Sequence, residues 1–291
     1  MNLVTVLGGD DTVPAFWDAA TALAEALAQR GLAVRLGKNE LARNGTHYLF
    51  GIHALGFSAQ RAALPLGSVV INSEPIANPA QVFGAVDFAS YLPMLEGMHV
   101  WDYSRRNVDA FQRANISARS FSWVPIGHAD RNMTPLVEPR PTQDIDVLFY
   151  GRINDRRASV LAECRLAGLR VVGVSVGCVG AERDALIARS KIVLNMGWAD
   201  DSVFEQYRVS YLMNNGKAVV TEMHPDERLP EAYCAALAVA RYDQLAETCV
   251  KLVKDSAWRA RLEVAAPLAL KLPIFDECLD AALARIHPPC P

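Results

Sequence analysis

Asp144-Ile-Asp-Val-Leu-Phe-Tyr-Gly-Arg-Ile-Asn-Asp-Arg-Arg157 is the stretch whose reading decides the fold. Its apolar run has the length and β-rich composition of a strand buried on both faces of a parallel sheet. Gly151 ends the run, Arg152 follows, and a polar turn leads into a helical pattern over 156–167. A glycine at a strand end permits close backbone approach, and a helix start offers free N–H groups to an anion. Arg152 can clamp a diphosphate through two parallel hydrogen bonds. Taken alone, the stretch also reads as a solvated turn with scattered arginines.

The same alternation extends in both directions. Downstream, strands are expected at 169–174, 192–195, 218–221 and 236–240. Helices are expected at 181–190, 205–215, 242–254, 257–266 (stopped by Pro267) and 275–286. Upstream, strands are expected at 3–7, 33–36, 47–52, 68–72, 99–102 and 120–124, with helices at 14–30 and 104–114. Residues 131–143 break the pattern: they are polar and contain Pro135, Pro139 and Pro141, which reads as a linker. The expectation is an α/β protein of two Rossmann-like domains with parallel sheets, 1–130 and 144–272, with a ligand cleft between them. A last helix, 273–291, is expected to be able to cross back to the first domain.

The chain has 291 residues, 51% hydrophobic and 21% charged, with net charge −3. Two cores of ordinary size fit this length. No strong field of either sign is implied, which disfavours a large nucleic-acid surface. Residues 1–7 enter a strand pattern without a basic leader, so no signal peptide is expected. No apolar run nears the ~20 residues of a membrane span. The six cysteines form no C-x-x-C pair, so zinc spacing is absent. Reduced thiols and a cytoplasmic location are expected; oligomeric state is not legible.

Two further stretches join the first. One runs Ala181-Glu-Arg-Asp-Ala-Leu-Ile-Ala-Arg-Ser-Lys-Ile-Val-Leu-Asn-Met-Gly-Trp198, a helix leading to a strand that ends on Asn195, with Gly197 beyond. The other runs Val203-Phe-Glu-Gln-Tyr-Arg-Val-Ser-Tyr-Leu-Met-Asn-Asn-Gly-Lys-Ala-Val-Val-Thr-Glu222. It carries Glu205 and Arg208 one turn apart, which as a surface ion pair is worth only a few tenths of a kcal/mol. In the first half, Asp10 and Asp11 follow strand one, His53 follows strand three and Glu74 follows strand four. Each lies where a sheet's carboxyl edge faces a ligand, and each suits a general base or a helix cap.

Together the stretches resemble the donor-binding domain of GT-B glycosyltransferases, nearest to the spore-maturation-type and family-4-like branches. The pattern is a strand–Gly–Arg turn, then Ser190-Lys-Ile-Val-Leu-Asn195, then Arg208, Leu212 and Gly216-Lys-Ala-Val-Val-Thr-Glu222. Trp101-Asp-Tyr-Ser104 with Asn107, and Val124-Pro-Ile-Gly-His128, resemble the end of the N-terminal domain in the same enzymes. The resemblance covers about 145–222 well and the first half weakly.

It implies sugar transfer from a nucleotide-diphosphate donor to an acceptor hydroxyl, without a metal or other cofactor. Residues 1–130 would be the acceptor side. Gly151 and Arg152 would face the diphosphate, with Arg208 and Lys217 able to share its charge. Asn195, Gly197 and Trp198 would lie near the sugar. The base would be His53, Glu74, Asp10 or Asp11. Retaining family-4 enzymes carry a Glu-x7-Glu pair whose second Glu binds the ribose. Here that position is Tyr211 and the first is Val203, with Glu205 nearby as a substitute. The acceptor is open: a glycan, lipid, protein or modified DNA base. The alternative is a catalytically inactive sugar-nucleotide or glycan-binding module.

Overall fold

The computed structural model describes residues 1–10, 12–55, 63–77, 88–132, 142–175 and 177–286. Asp11, most of the expected linker, Pro288 and Cys290 lie outside them. The chain divides into two compact units, 1–131 with 272–291, and 132–271.

The first unit carries six parallel strands: β1 (Asn2–Val6), β2 (Val34–Lys38), β3 (Thr46–Phe50), β4 (Val69–Ile71), β5 (His99–Asp102) and β6 (Ser120–Trp123). Their order is β2-β1-β3-β4-β5-β6. Helix α1 (Thr12–Gln29) packs on β1 and β2, and α3 (Arg105–Arg113) on β5 and β6; a short helix, α2 (Phe88–Tyr91), lies between them in sequence. Leu49, Val70, Val100, Met94 and Phe111 are among the residues of one buried cluster. β3 stops two residues earlier than expected because Gly51 has φ 76°. That turn starts a 3₁₀ segment, Ile52–Ala54, which carries His53.

The second unit carries five parallel strands: β7 (Ile145–Tyr150), β8 (Val171–Val174), β9 (Ser190–Asn195), β10 (Val219–Glu222) and β11 (Ala238–Ala240). Their order is β11-β10-β9-β7-β8. Helices α4 (Asp155–Leu166) and α8 (Leu245–Lys254) pack together against this sheet, and α5 (Gly180–Arg189) and α6 (Gln206–Asn214) also pack on it. α7 (Glu231–Ala235) and α9 (Ser256–Ala269) complete the unit. All six residues of β7 are buried, as a strand covered on both faces requires. α9 runs through Pro267, where a stop was expected. Burial of Ala266, Ala269 and Leu270 holds that last turn in. The expected single helix over 242–254 is a 3₁₀ turn followed by α8.

The final helix, α10 (Pro273–Ile286), belongs to the first unit. Arg30, just past α1, pairs with Asp276 at 2.8 Å and with Asp280. At the other end Arg285 donates to the Phe121 carbonyl at 2.6 Å. Among the described residues no helix is long and apolar enough to cross a membrane. The five described cysteines are free thiols.

The amino edge of the second sheet is tied by ion pairs. Asp146, buried, accepts two bonds of 3.0 Å from Arg170 and one of 2.8 Å from Lys191. Asp144 accepts from Arg189 at 2.9 Å. The Arg170 guanidinium, with Lys191 beside it, holds the Asp146 carboxyl well below the usual carboxylate range. A depressed folded-state pKa adds stability above the ordinary value near ~4, lost as pH falls through the folded value. Asp146→Asn is expected to cost about 1–2 kcal/mol at pH 7. In urea unfolding the gap to wild type should close as pH is lowered below about 4.

Candidate functional site

In the second unit the chain steps from β7 outward to β8, then returns to place β9 on the other side of β7. Such a reversal opens a crevice at the carboxyl ends of the strands, where open α/β sheets bind ligands. Residues 151–154 and 196–205 flank it. α4 starts there because Asn154 caps it, accepting the Arg157 N–H at 3.0 Å. The Asn154 amide also donates to the Trp198 carbonyl at 2.9 Å, which ties the two loops together.

Three guanidiniums converge on this crevice. Arg157, with 4% of its side chain exposed, donates to the carbonyls of Arg152 (2.8 Å), Met196 (2.8 Å) and Gly197 (3.2 Å) and to Glu205 (2.9 Å). Burial, the largest influence, lowers its pKa; Glu205 opposes this, and neighbouring Arg208 and Arg156 add to it. Arg156 meets Glu222 through two bonds of 2.9 and 2.5 Å. It also lies 3.8 Å from the Tyr242 ring centroid. Arg208 bonds Glu205 at 2.9 Å and the Asn195 amide oxygen at 3.1 Å, and it covers the Tyr150 ring at 5.2 Å. Bidentate and multiply bonded guanidiniums are held in fixed geometry.

Two glycines make the arrangement possible. Gly151 has φ 128°, and an added Cβ would lie 2.8 Å from an Arg208 nitrogen. The group that approaches this glycine is therefore Arg208. Gly197 donates its N–H to Glu222 at 2.9 Å; an added Cβ there would meet Ser202 at 2.8 Å. Asn195, Gly197, Asp200, Glu205, Glu222 and His224 line a pocket at this edge.

The expected donor residues divide into three groups. Gly151, Arg152, Asn195, Gly197, Trp198, Glu205 and Arg208 come together at the crevice. Arg152 is exposed and makes no side-chain ion pair among the described residues. Asn195 is a buried brace, donating to Thr221 at 3.0 Å while holding Arg208. Tyr211 faces α5: its hydroxyl donates to Asp184 at 2.8 Å and Arg183 covers its ring at 3.9 Å. Lys217 corrects an expectation. It is buried, with its ammonium on the Ser190 carbonyl at the amino edge, so it cannot share a charge bound at the carboxyl edge. Arg156, Arg157 and Glu222 were not singled out; the Arg-Arg pair at the helix start and the acidic strand end were their signals.

In the first unit the reversal lies between β1 and β3. The turn after β1 is closed: the Gly8 N–H and C=O bond the Asn39 side chain at 2.8 and 2.9 Å. Asp10 is exposed beside it, and Asp11 lies outside the described residues. His53 and Glu74 meet, Nδ1 to carboxylate, at 3.2 Å, and Ser73 Oγ lies 3.2 Å from the same nitrogen. Burial pushes His53 down to about 4. A buried frame holds the loop that carries Glu74. Asn72 and Asn107 both donate to the Glu74 carbonyl, at 2.8 and 2.9 Å, and both donate to Asp102, at 2.6 and 3.0 Å. Ser104 caps α3 by accepting from the Asn107 N–H at 3.4 Å. The Asp-Tyr-Ser and Asn107 motif thus builds this loop. His128 pairs with Asp130 at 2.9 Å.

No family model matches the chain. The L140 protein of Acanthamoeba polyphaga mimivirus is 23% identical over 193 residues, 64% of this chain and 59% of that relative. The match thus spans under two thirds of the relative's length. Among solved structures, WaaG, a glycosyltransferase involved in lipopolysaccharide biosynthesis, matches with TM-score 0.58 at 14% identity, covering 99% of this chain and 100% of its own. Anabaena HepE in complex with UDP-glucose gives 0.60 at 13%, covering 98% and 100%. T4 phage BGT with its UDP-glucose substrate gives 0.57 at 13%, covering 99% and 100%. At these identities the likeness shows the fold, two Rossmann-like α/β domains with parallel sheets, as in GT-B glycosyltransferases.

Gly151→Ala is expected to lower stability by about 1–3 kcal/mol in urea unfolding, because backbone and Arg208 both resist it. Gly9→Ala, with open space around it, should change stability by less than about 0.5 kcal/mol.

Proposed function

We propose that the chain is a glycosyltransferase moving a sugar from a nucleotide-diphosphate donor to an acceptor hydroxyl. The observation that carries this reading is the guanidinium cluster at the carboxyl-edge reversal of the second sheet, with Arg208 laid over Gly151. The three solved structures named above are glycosyltransferases, two of them with UDP-glucose bound, which supports it. We place the chain nearest the spore-maturation-type and family-4-like branches, on the motif over 190–222.

In this reading Arg208 and Arg152 take the charge of the leaving diphosphate, and Arg157 holds the loops that position them. Fixed positive groups of this kind are the main electrostatic contribution to such a step, so the transfer is proposed to be metal-independent. Gly197, Trp198 and Glu222 would border the sugar. His53 would take the acceptor proton through Nε2, with Glu74 orienting the ring through Nδ1. With its pKa at about 4, the imidazole is neutral at physiological pH. The acceptor class is left as a glycan, lipid, protein or modified DNA base. A second reading, an inactive sugar-nucleotide-binding module, draws on Tyr211, which turns to Asp184 instead of offering a carboxylate.

Thermal shift against UDP-, GDP-, dTDP- and ADP-sugars tests the donor site. Stabilisation by at least one is expected, and none by any would sink the reading. Arg152→Ala should weaken that nucleotide sugar by about 1.5–3 kcal/mol; unchanged affinity would remove Arg152 from the site. His53→Ala should lower turnover about 10²–10⁴-fold with donor affinity unchanged. Wild-type turnover should fall on the acid side as pH drops through about 4, since only the neutral ring accepts a proton. Binding without hydrolysis or transfer would favour the inactive module.

A further inference from the structure

We infer that Glu205 is a resident counter-ion on the anion-binding face, displaced from Arg208 when a phosphate group binds. The inference rests on the proposed donor site and concerns how that site is occupied in the absence of ligand.

One carboxylate bridges two guanidiniums: Glu205 reaches Arg157 at 2.9 Å and Arg208 at 2.9 Å. The two arginines differ in what else holds them. Arg157 is fixed by three backbone carbonyls and is almost fully buried. These three carbonyls hold it independently of Glu205. Among the described residues Arg208 has only neutral partners besides Glu205: the Asn195 amide oxygen and the faces of Tyr150 and Phe149. Its charge is therefore balanced by Glu205 and by no other carboxylate among the described residues.

The two carboxylates of the cluster differ as well. Glu222 is 14% exposed, bound twice by Arg156 and once by the Gly197 N–H. Glu205 is 33% exposed and makes one bond to each guanidinium. It is the N-cap residue just before α6, where a side chain commonly caps the helix, yet it makes no cap bond. It is the exchangeable one of the pair. A phosphate entering beside Gly151 meets Arg208 from the exposed side and substitutes one anion for another. Arg208 keeps an anionic partner while Glu205 is released toward solvent.

This predicts an affinity gain on removing a carboxylate from the site. A ligand-contacting or purely structural Glu205 predicts a loss or no change. The test is calorimetric titration of the full chain with inorganic pyrophosphate, and separately with UDP. Glu205→Gln, nearly isosteric and neutral, is expected to bind pyrophosphate roughly 5- to 30-fold more tightly than wild type. Glu205→Asp withdraws the carboxylate by one methylene and is expected to fall between the two. Arg208→Gln should abolish the gain in either background.

Pyrophosphate affinity of Glu205→Gln equal to or below wild type overturns the inference, as does failure of every variant to bind it. Should Glu205→Gln not fold, as judged by circular dichroism, Glu205→Asp decides: tighter binding than wild type supports the exchange, equal or weaker binding overturns it. Pyrophosphate ranking Gln above Asp above wild type, with no variant binding UDP, would keep the exchange and remove the nucleotide reading. UDP binding without that ranking would do the reverse.

Discussion

The buried guanidinium of Arg157 holds the second unit's carboxyl edge together. It rises from the first turn of α4 and bonds the carbonyls of Arg152, Met196 and Gly197, so one side chain fixes the loop after β7 to the loop after β9. Taking a charge out of water is costly unless its donors are met, and here they are met by three carbonyls and Glu205. The other features follow from this clamp. Asn154 can bond the Trp198 carbonyl only when the loops are adjacent, and Gly197 can present its N–H to Glu222 only in the tight turn that the clamp fixes. Arg208 then lies in the gap over Gly151.

In both sheets the strand order reverses beside the first strand; the second unit's cluster lies at that reversal, and the first unit's His53–Glu74 pair lies next to it, past the ends of β3 and β4. The clusters differ in chemistry. That of the second unit is rich in guanidinium and suits an anion. That of the first unit is a largely buried His53–Glu74 pair, seated on a frame of Asn72, Asp102 and Asn107. A ring packed edge-on against Phe16 and largely buried favours its neutral form. That is the form a proton acceptor needs.

The fold was legible because hydrophobic runs and helical spacing alternate along the whole chain. The β7 run and the turn at Gly151 were enough to start from. Side-chain pairing was less legible. Gly151 is expected from sequence to face a diphosphate; the group packed on it in the structure is Arg208, 57 residues later in sequence. Asn195, expected near the sugar, also braces the crevice, a role not legible locally since its partners Thr221 and Arg208 lie on other elements. Lys217 read as a cation near the ligand because it adjoins the motif; the direction of β10 carries it to the opposite edge. Arg156, Arg157 and Glu222 left local signals, the Arg-Arg pair and the acidic strand end, but not their partners, because Arg156–Glu222 and Arg157–Glu205 join residues far apart in sequence.

On the proposed reading, residues 151–157 and 196–206 form one anion-binding edge for a nucleotide diphosphate. Amide hydrogen exchange with and without a saturating nucleotide sugar tests it most directly. The account predicts that added protection concentrates in those two segments, while the amino edge around Asp146 and Lys217 is unchanged. Protection confined to the amino edge, or none in either loop despite measured binding, would contradict it.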